Sequence, residues 1–199
     1  MRAAILSLAL IPALALAQTA PQPAPPIARP AKVPTSEQIA YRAALKTYDA
    51  KADQLRARAK SALAAETARE SQPICPNAGS TVEVNNCVSH EMDITNANLK
   101  AFTTALRELL ALPSPPIPGA TYPIIGPSGP EATPATNTVA FDATETSWRA
   151  YAKAECDAED TEWRGGTIVN FMDGQCELRQ SRARLRELRT AYDEFLAPN

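Results

Sequence analysis

TSEQIAYRAALKTYDAKADQLRARAKSALAAETARE, residues 35–70, decides how the rest of this chain is read. Thr35 followed three residues later by Gln38 is a capping-box pattern, in which the hydroxyl and the amide satisfy each other's free backbone donors. Apolar residues then recur at Tyr41, Leu45, Tyr48, Ala52, Leu55, Ala59 and Ala62 in steps of four and three. That period puts them along one side of a helix reaching about residue 70. Its second half is dominated by alanine, which permits close approach but buries little area. Such a helix fits a loosely docked arm, half of a weak coiled coil, or a layer packed on the following domain.

Downstream, Pro73, Pro76 and Gly79 interrupt the helix, and a second is expected from Thr81 or Val82, with Thr81 as its cap. It carries Cys87, Leu99, Phe102, Leu106, Leu109 and Leu110, the last five on one face. Residues 113–137 are dense in proline with three glycines, so no regular helix is expected there. Tyr122, Ile124 and Ile125 form the apolar cluster of this long insert, either docked on the domain or offered as a contact. A third helix is expected over about 138–162, with Phe141, Trp148, Tyr151 and Cys156 facing inward. After Gly165-Gly166 a fourth runs over about 168–195 through Leu178, Leu185, Leu188, Tyr192 and Phe195. The fold class is therefore all-α, a small disulfide-stapled helical bundle with a long amphipathic N-terminal helix and a Pro-rich insert.

Upstream, Arg2 precedes an uncharged run over residues 4–17 (AILSLALIPALALA) that ends in Ala15-Leu16-Ala17. The run is shorter than the about twenty residues of a membrane span and matches a secretory signal peptide cut after Ala17. Residues 18–34 hold six prolines and read as an extended tether. The expected organisation is thus a signal peptide (1–17), a tether (18–34), an amphipathic helix (35–72) and a helical domain (73–197) containing the insert 113–137. The destination is periplasmic, or secreted beyond it.

The full chain holds 20 basic and 22 acidic residues. Loss of Arg2 leaves 19 against 22, a mild acidity that offers no general field for nucleic acid. Cys75, Cys87, Cys156 and Cys176 read as two disulfides with three pairings open. Their separations lack the close pairs of structural zinc sites. The single histidine, His90, lies in a polar stretch, and no nucleophile–base pattern accompanies it. Gly165-Gly166 has neither the strand nor the Gly-Lys-Ser/Thr of a phosphate loop and reads as a turn. No enzyme activity, cofactor or metal is expected.

Two charge clusters stand out. Glu155, Asp157, Glu159, Asp160 and Glu162 fall within eight residues, and Arg179, Arg182, Arg184, Arg186 and Arg189 within eleven. Antiparallel helices would pair some of these charges and solvate the rest. Alternatively, the acids, together with Tyr122 of the insert, face a basic protein partner. The arginine stripe could also meet anionic headgroups, but the neighbouring acids favour a protein contact.

The order and spacing of several short motifs resemble the lysozyme inhibitor LprI-like family over residues 75–189. The front motif is Cys75, Glu83, Asn86 and Cys87, followed by Leu99; Asn96, Lys100 and Thr103 stand where the family usually has Asp, Asn and Tyr. The rear motif is Trp148, Tyr151 and Cys156, with Ala152-Lys153 replacing the usual Arg-Asp. Then come the turn Gly165-Gly166-Thr167 and Cys176, followed by Ser181 to Arg184 and Leu188. The resemblance implies a small exported helical domain in which Trp148, Tyr151, Gly165, Gly166 and Arg184 are structural. It implies an envelope protein-binding module that inhibits lysozyme or a related muramidase. The alternative is a structural or adaptor protein that self-associates through the 35–70 helix.

Overall fold

The computed structural model describes residues 33–119 and 133–197; the expected signal peptide, most of the expected tether, and Tyr122 with its neighbours lie outside the described residues. Four long helices carry the fold: α1 (Ser36–Glu70), α2 (Thr81–Leu110), α3 (Pro134–Trp163) and α4 (Val169–Ala191), followed by one turn, α5 (Asp193–Leu196). Among the described residues no helix is long and apolar enough to cross a membrane.

Cross-helix contacts fix the directions. Arg58 meets Glu108 and Arg69 meets Glu91, so α1 and α2 are antiparallel. Glu145 meets Arg184 and Glu159 meets Arg179, so α3 and α4 are antiparallel. Ser181 hydrogen-bonds Asn96, and Gly174 faces Val88, so α2 and α4 run parallel and lie against each other. This parallel pair is the spine: α1 flanks it on the α2 side, α3 on the α4 side. Leu99, Phe102, Leu106 and Leu110 of α2 meet Leu185 and Leu188 of α4 in the main core, which Ala59 and Ala62 of α1 and Phe141 of α3 complete. Ala52 and Leu55 close a second cluster with Leu109. The alanine-rich half of α1 is therefore a packed layer of the core and not a loose arm. The described residues from Pro34 on belong to one compact unit.

Several boundaries differ from the sequence expectation, each for a local reason. The cap of α2 is Ser80, whose hydroxyl accepts from Glu83 N, and not Thr81. Helix α3 begins at Pro134, inside the stretch expected to be irregular, because Thr133 caps it and proline at the first helical position forfeits no hydrogen bond. Near the C-terminus the chain breaks at Tyr192, which rotates Phe195 outward to 40% exposure and turns Leu196 into the core. Tyr151, expected inside, is 56% exposed.

The disulfides are Cys75–Cys87 and Cys156–Cys176, and among the described residues no cysteine is free. Each closes a local ring at a helix–helix turn, the first spanning 12 residues and the second 20. The second turn uses Gly165 in the left-handed region (φ +86°), where a side chain would be strained. Gly174 has a different role. A Cβ there would lie 2.6 Å from Val88 Cγ1 and 3.0 Å from Met92 Sδ, so its bare backbone sets how closely α2 and α4 approach. Val88 is β-branched and cannot swing aside. Gly174→Ala should therefore destabilise, the overpacking of about 1–3 kcal/mol outweighing a helix-propensity gain of about 1 kcal/mol. A thermal melt giving a lower Tm than the parent's would bear this out; a higher one would refute the close-approach account.

Candidate functional site

A buried polar seam orients α4. Glu66, only 2% exposed, occupies the next inward position after Ala62. It accepts hydrogen bonds from Thr95 Oγ1 (2.7 Å), Asn98 Nδ2 (2.9 Å) and Arg182 Nε (2.8 Å). Burial pushes its pKa up, but the hydrogen bonds from Asn98, Thr95 and Arg182, with the Arg182 charge, outweigh that and hold the carboxyl below its ordinary range. On the other side of α4, Arg184 donates to Glu145 Oε1 at 2.7 Å and lies 5.7 Å over the Trp148 ring. Thus Trp148, half-buried, and the buried Arg184 and Glu145 form one cation–aromatic–carboxylate cluster. The arginines do not pair wholesale with the acidic run. Arg179 pairs with Glu159, Arg182 and Arg186 reach back to Glu66 and Glu70 on α1, and Arg184 takes Glu145.

The acidic run itself divides around the disulfide. Cys156 is buried, and at about 3.6 residues per turn Glu155, Glu159 and Glu162 fall on one flank of α3, with Asp157 and Asp160 on the other. Glu155, Asp157 and Glu162 are exposed, while Glu159 and Asp160 are half-buried. The exposed Tyr151 precedes Glu155 by four residues and shares its ridge.

On the Asp157 flank the fold brings in two acids from α4 that the run did not include. Asp173 is pushed above the ordinary aspartate range by burial and then by Asp160 and Asp157. Glu177 is raised by burial and then by Asp173. Lys153, paired to Asp157 at 2.6 Å, is the cation set among them, and its own pKa is raised by that bond. Between the helices lies a cleft of about 170 Å³ lined by Trp148, Lys153, Glu177 and Gln180. Chemically, this end of the α3–α4 hairpin is a negatively charged knob with an aromatic on one ridge. Tyr122, assigned to the same surface from sequence, lies outside the described residues. His90 is exposed on α2, and among the described residues no three side chains are grouped to hold a metal.

Two outcomes of opposite sign follow for stability. The folded pKa of Glu66 is lowered, so its stabilisation is present above the unfolded glutamate pKa and is lost as pH falls through the folded value. Glu66→Ala leaves Arg182 only the more distant Glu70, 3.9 Å away, and should cost about 3 kcal/mol at neutral pH in chemical denaturation, with the gap to the parent narrowing in acid. Asp173 has a raised folded pKa, so its ionised form burdens the fold at neutral pH and the burden lifts as pH falls through that value. Asp173→Asn should raise Tm at neutral pH and lose this advantage in acid; a lowered neutral Tm would contradict the reading.

A protein-family model for lysozyme inhibitor LprI matches residues 75–188, which takes in both disulfides, the Trp148–Arg184 cluster and the Gly165 turn. No curated protein and no solved structure matches the chain. With the matched segment covering more than half of the sequence and its motifs meeting in one bundle, the chain belongs to the LprI lysozyme-inhibitor family.

Proposed function

We propose that this protein is an exported envelope module that binds and blocks a lysozyme or related muramidase without catalysing a reaction. Family membership supports the class of partner. What supports the mode of contact is a single observation: Tyr151 is 56% exposed on the same ridge as Glu155 and Glu162. Interface energy concentrates in a few aromatic or arginine anchors, while charges outside the anchor steer encounter and select partners. Here the aromatic stands within the acidic field, so the knob would enter a basic glycan-binding cleft, Tyr151 making the apolar contact and the acids holding it in register. The sequence-assigned acids on the Asp157 flank, enlarged by Asp173 and Glu177, extend that field. Two disulfides suit an oxidising compartment such as the periplasm or the exterior.

A second reading, an adaptor that assembles through the first helix, draws on Ile39, 59% exposed on the first turn of α1. The later part of that helix is spent on the core through Ala52, Leu55, Ala59 and Ala62. Ile39→Asp therefore tests self-association without removing core residues.

The test is muramidase turnover of a peptidoglycan suspension, measured as the oxidised protein is titrated in at low and physiological salt. Saturable inhibition, weaker at the higher salt, is expected. Tyr151→Ala, and separately Glu155→Lys with Glu162→Lys, should each weaken it roughly tenfold. Absence of inhibition at every concentration would overturn the proposal, and inhibition indifferent to both variants would move the contact elsewhere.

A further inference from the structure

The arginines of α4 leave a feature that inhibitor docking does not use. Arg179, Arg182 and Arg186 recur at three- and four-residue spacing and therefore share one ridge of α4. With Ile74, Gln175 and Leu178 they line a pocket of about 280 Å³ where the α1–α2 turn meets α4. Three guanidiniums around one hollow would repel each other unless something neutralised them. Carboxylates do so from outside the pocket lining: Glu66 takes Arg182 Nε, Glu70 takes Arg186 Nη1 at 2.6 Å, and Glu159 takes Arg179 Nη2.

These pairs position the guanidiniums without saturating them. Each guanidinium carries five N–H donors in a rigid fork and meets its carboxylate through one nitrogen, Arg182 Nε having Glu70 as a second neighbour at 3.9 Å beyond Glu66. Arg182 lines the pocket, and its Nη2, enclosed and without a hydrogen-bond partner among the described residues, is a donor that a small rotation of the side chain would bring to an anion there. Arg179 and Arg186 are more than half exposed, and their ion pairs are weak in water and easily re-aimed. Ile74 and Leu178 give the hollow an apolar side, so it has little to offer a fully hydrated cation.

We infer that the Arg179–Arg182–Arg186 pocket is a binding site for a phosphate-type oxyanion, free in solution or carried on a lipid headgroup. Three forks suit a dianion with several acceptor oxygens better than a single carboxylate. Because nearby glutamates balance the local charge, recognition rests on short-range hydrogen bonds, and affinity should lie in roughly the millimolar range. The site touches the acidic flank of α3 only through the Arg179–Glu159 pair, and phosphate binding is read without reference to any inhibited enzyme.

The experiment is calorimetric titration of the full chain with inorganic phosphate at neutral pH, against chloride at matched ionic strength. The expected result is saturable phosphate binding with no comparable response to chloride. The double variant Arg179→Ala/Arg186→Ala changes only exposed side chains and should weaken phosphate binding roughly tenfold. A circular-dichroism melt confirms that this variant is folded. Phosphatidylcholine vesicles doped with phosphatidic acid separate the sources. Sedimentation with these vesicles that free phosphate competes away assigns the site to a lipid headgroup, whereas phosphate binding without sedimentation assigns it to a soluble anion. Phosphate binding equal to chloride's, or unchanged in the folded double variant, would overturn the inference.

Discussion

The parallel approach of α2 and α4 at Gly174 is the constraint on which the other placements depend. Consecutive antiparallel helices need only a turn, but two parallel helices must be joined through an intervening element, and here α3 is that return. The missing side chain at Gly174 lets α4 settle against Val88 and Met92. Once it does, Leu185 and Leu188 reach Phe102 and Leu106, and Ser181 reaches Asn96. The outer helices are then held by different means. Small side chains and a buried carboxylate bind α1, whereas a disulfide, an aromatic and an arginine bind α3.

That division separates structure from surface along a single helix. Successive arginines of α4 point to different neighbours, so a run that looks uniform is split by helical geometry into inward and outward members. Arg182 and Arg184 are largely buried and serve the fold, while Arg179 and Arg186 remain in solvent. The acids of α3 are likewise divided by Cys156, so the negative surface wraps both sides of the bridge. Holding Asp173 beside Asp157 and Asp160 works against stability at neutral pH.

Helix number, order and approximate limits were legible because the 3–4 spacing of apolar residues is a local signal. So were the cap at Thr35 and the turn at Gly165. What could not be read were relations between helices. Asp173 and Glu177 join the acidic flank only because the hairpin folds them beside Asp157 and Asp160. Glu66 had left a signal: it continues the series Ala52, Leu55, Ala59, Ala62, and a carboxylate at an inward position demands donors opposite. Gly174 inside a helical pattern was a second, since an interior glycine usually marks close packing. Tyr151 was misplaced because it lies between inward positions, and aromatic character alone does not fix orientation. The choice among disulfide pairings was open because cysteine spacing does not encode it.

Both bridges are local, and this bears on how the chain matures. A bond between Cys75 and Cys87 needs only one helix turn-around, so it can close before the later helices have packed. The Cys156–Cys176 ring needs nothing from the N-terminal half. Sequential partners are also the nearest thiols along the chain. Correct oxidation thus asks each half of the bundle only to close on its own neighbour, with no bond that waits on the other half.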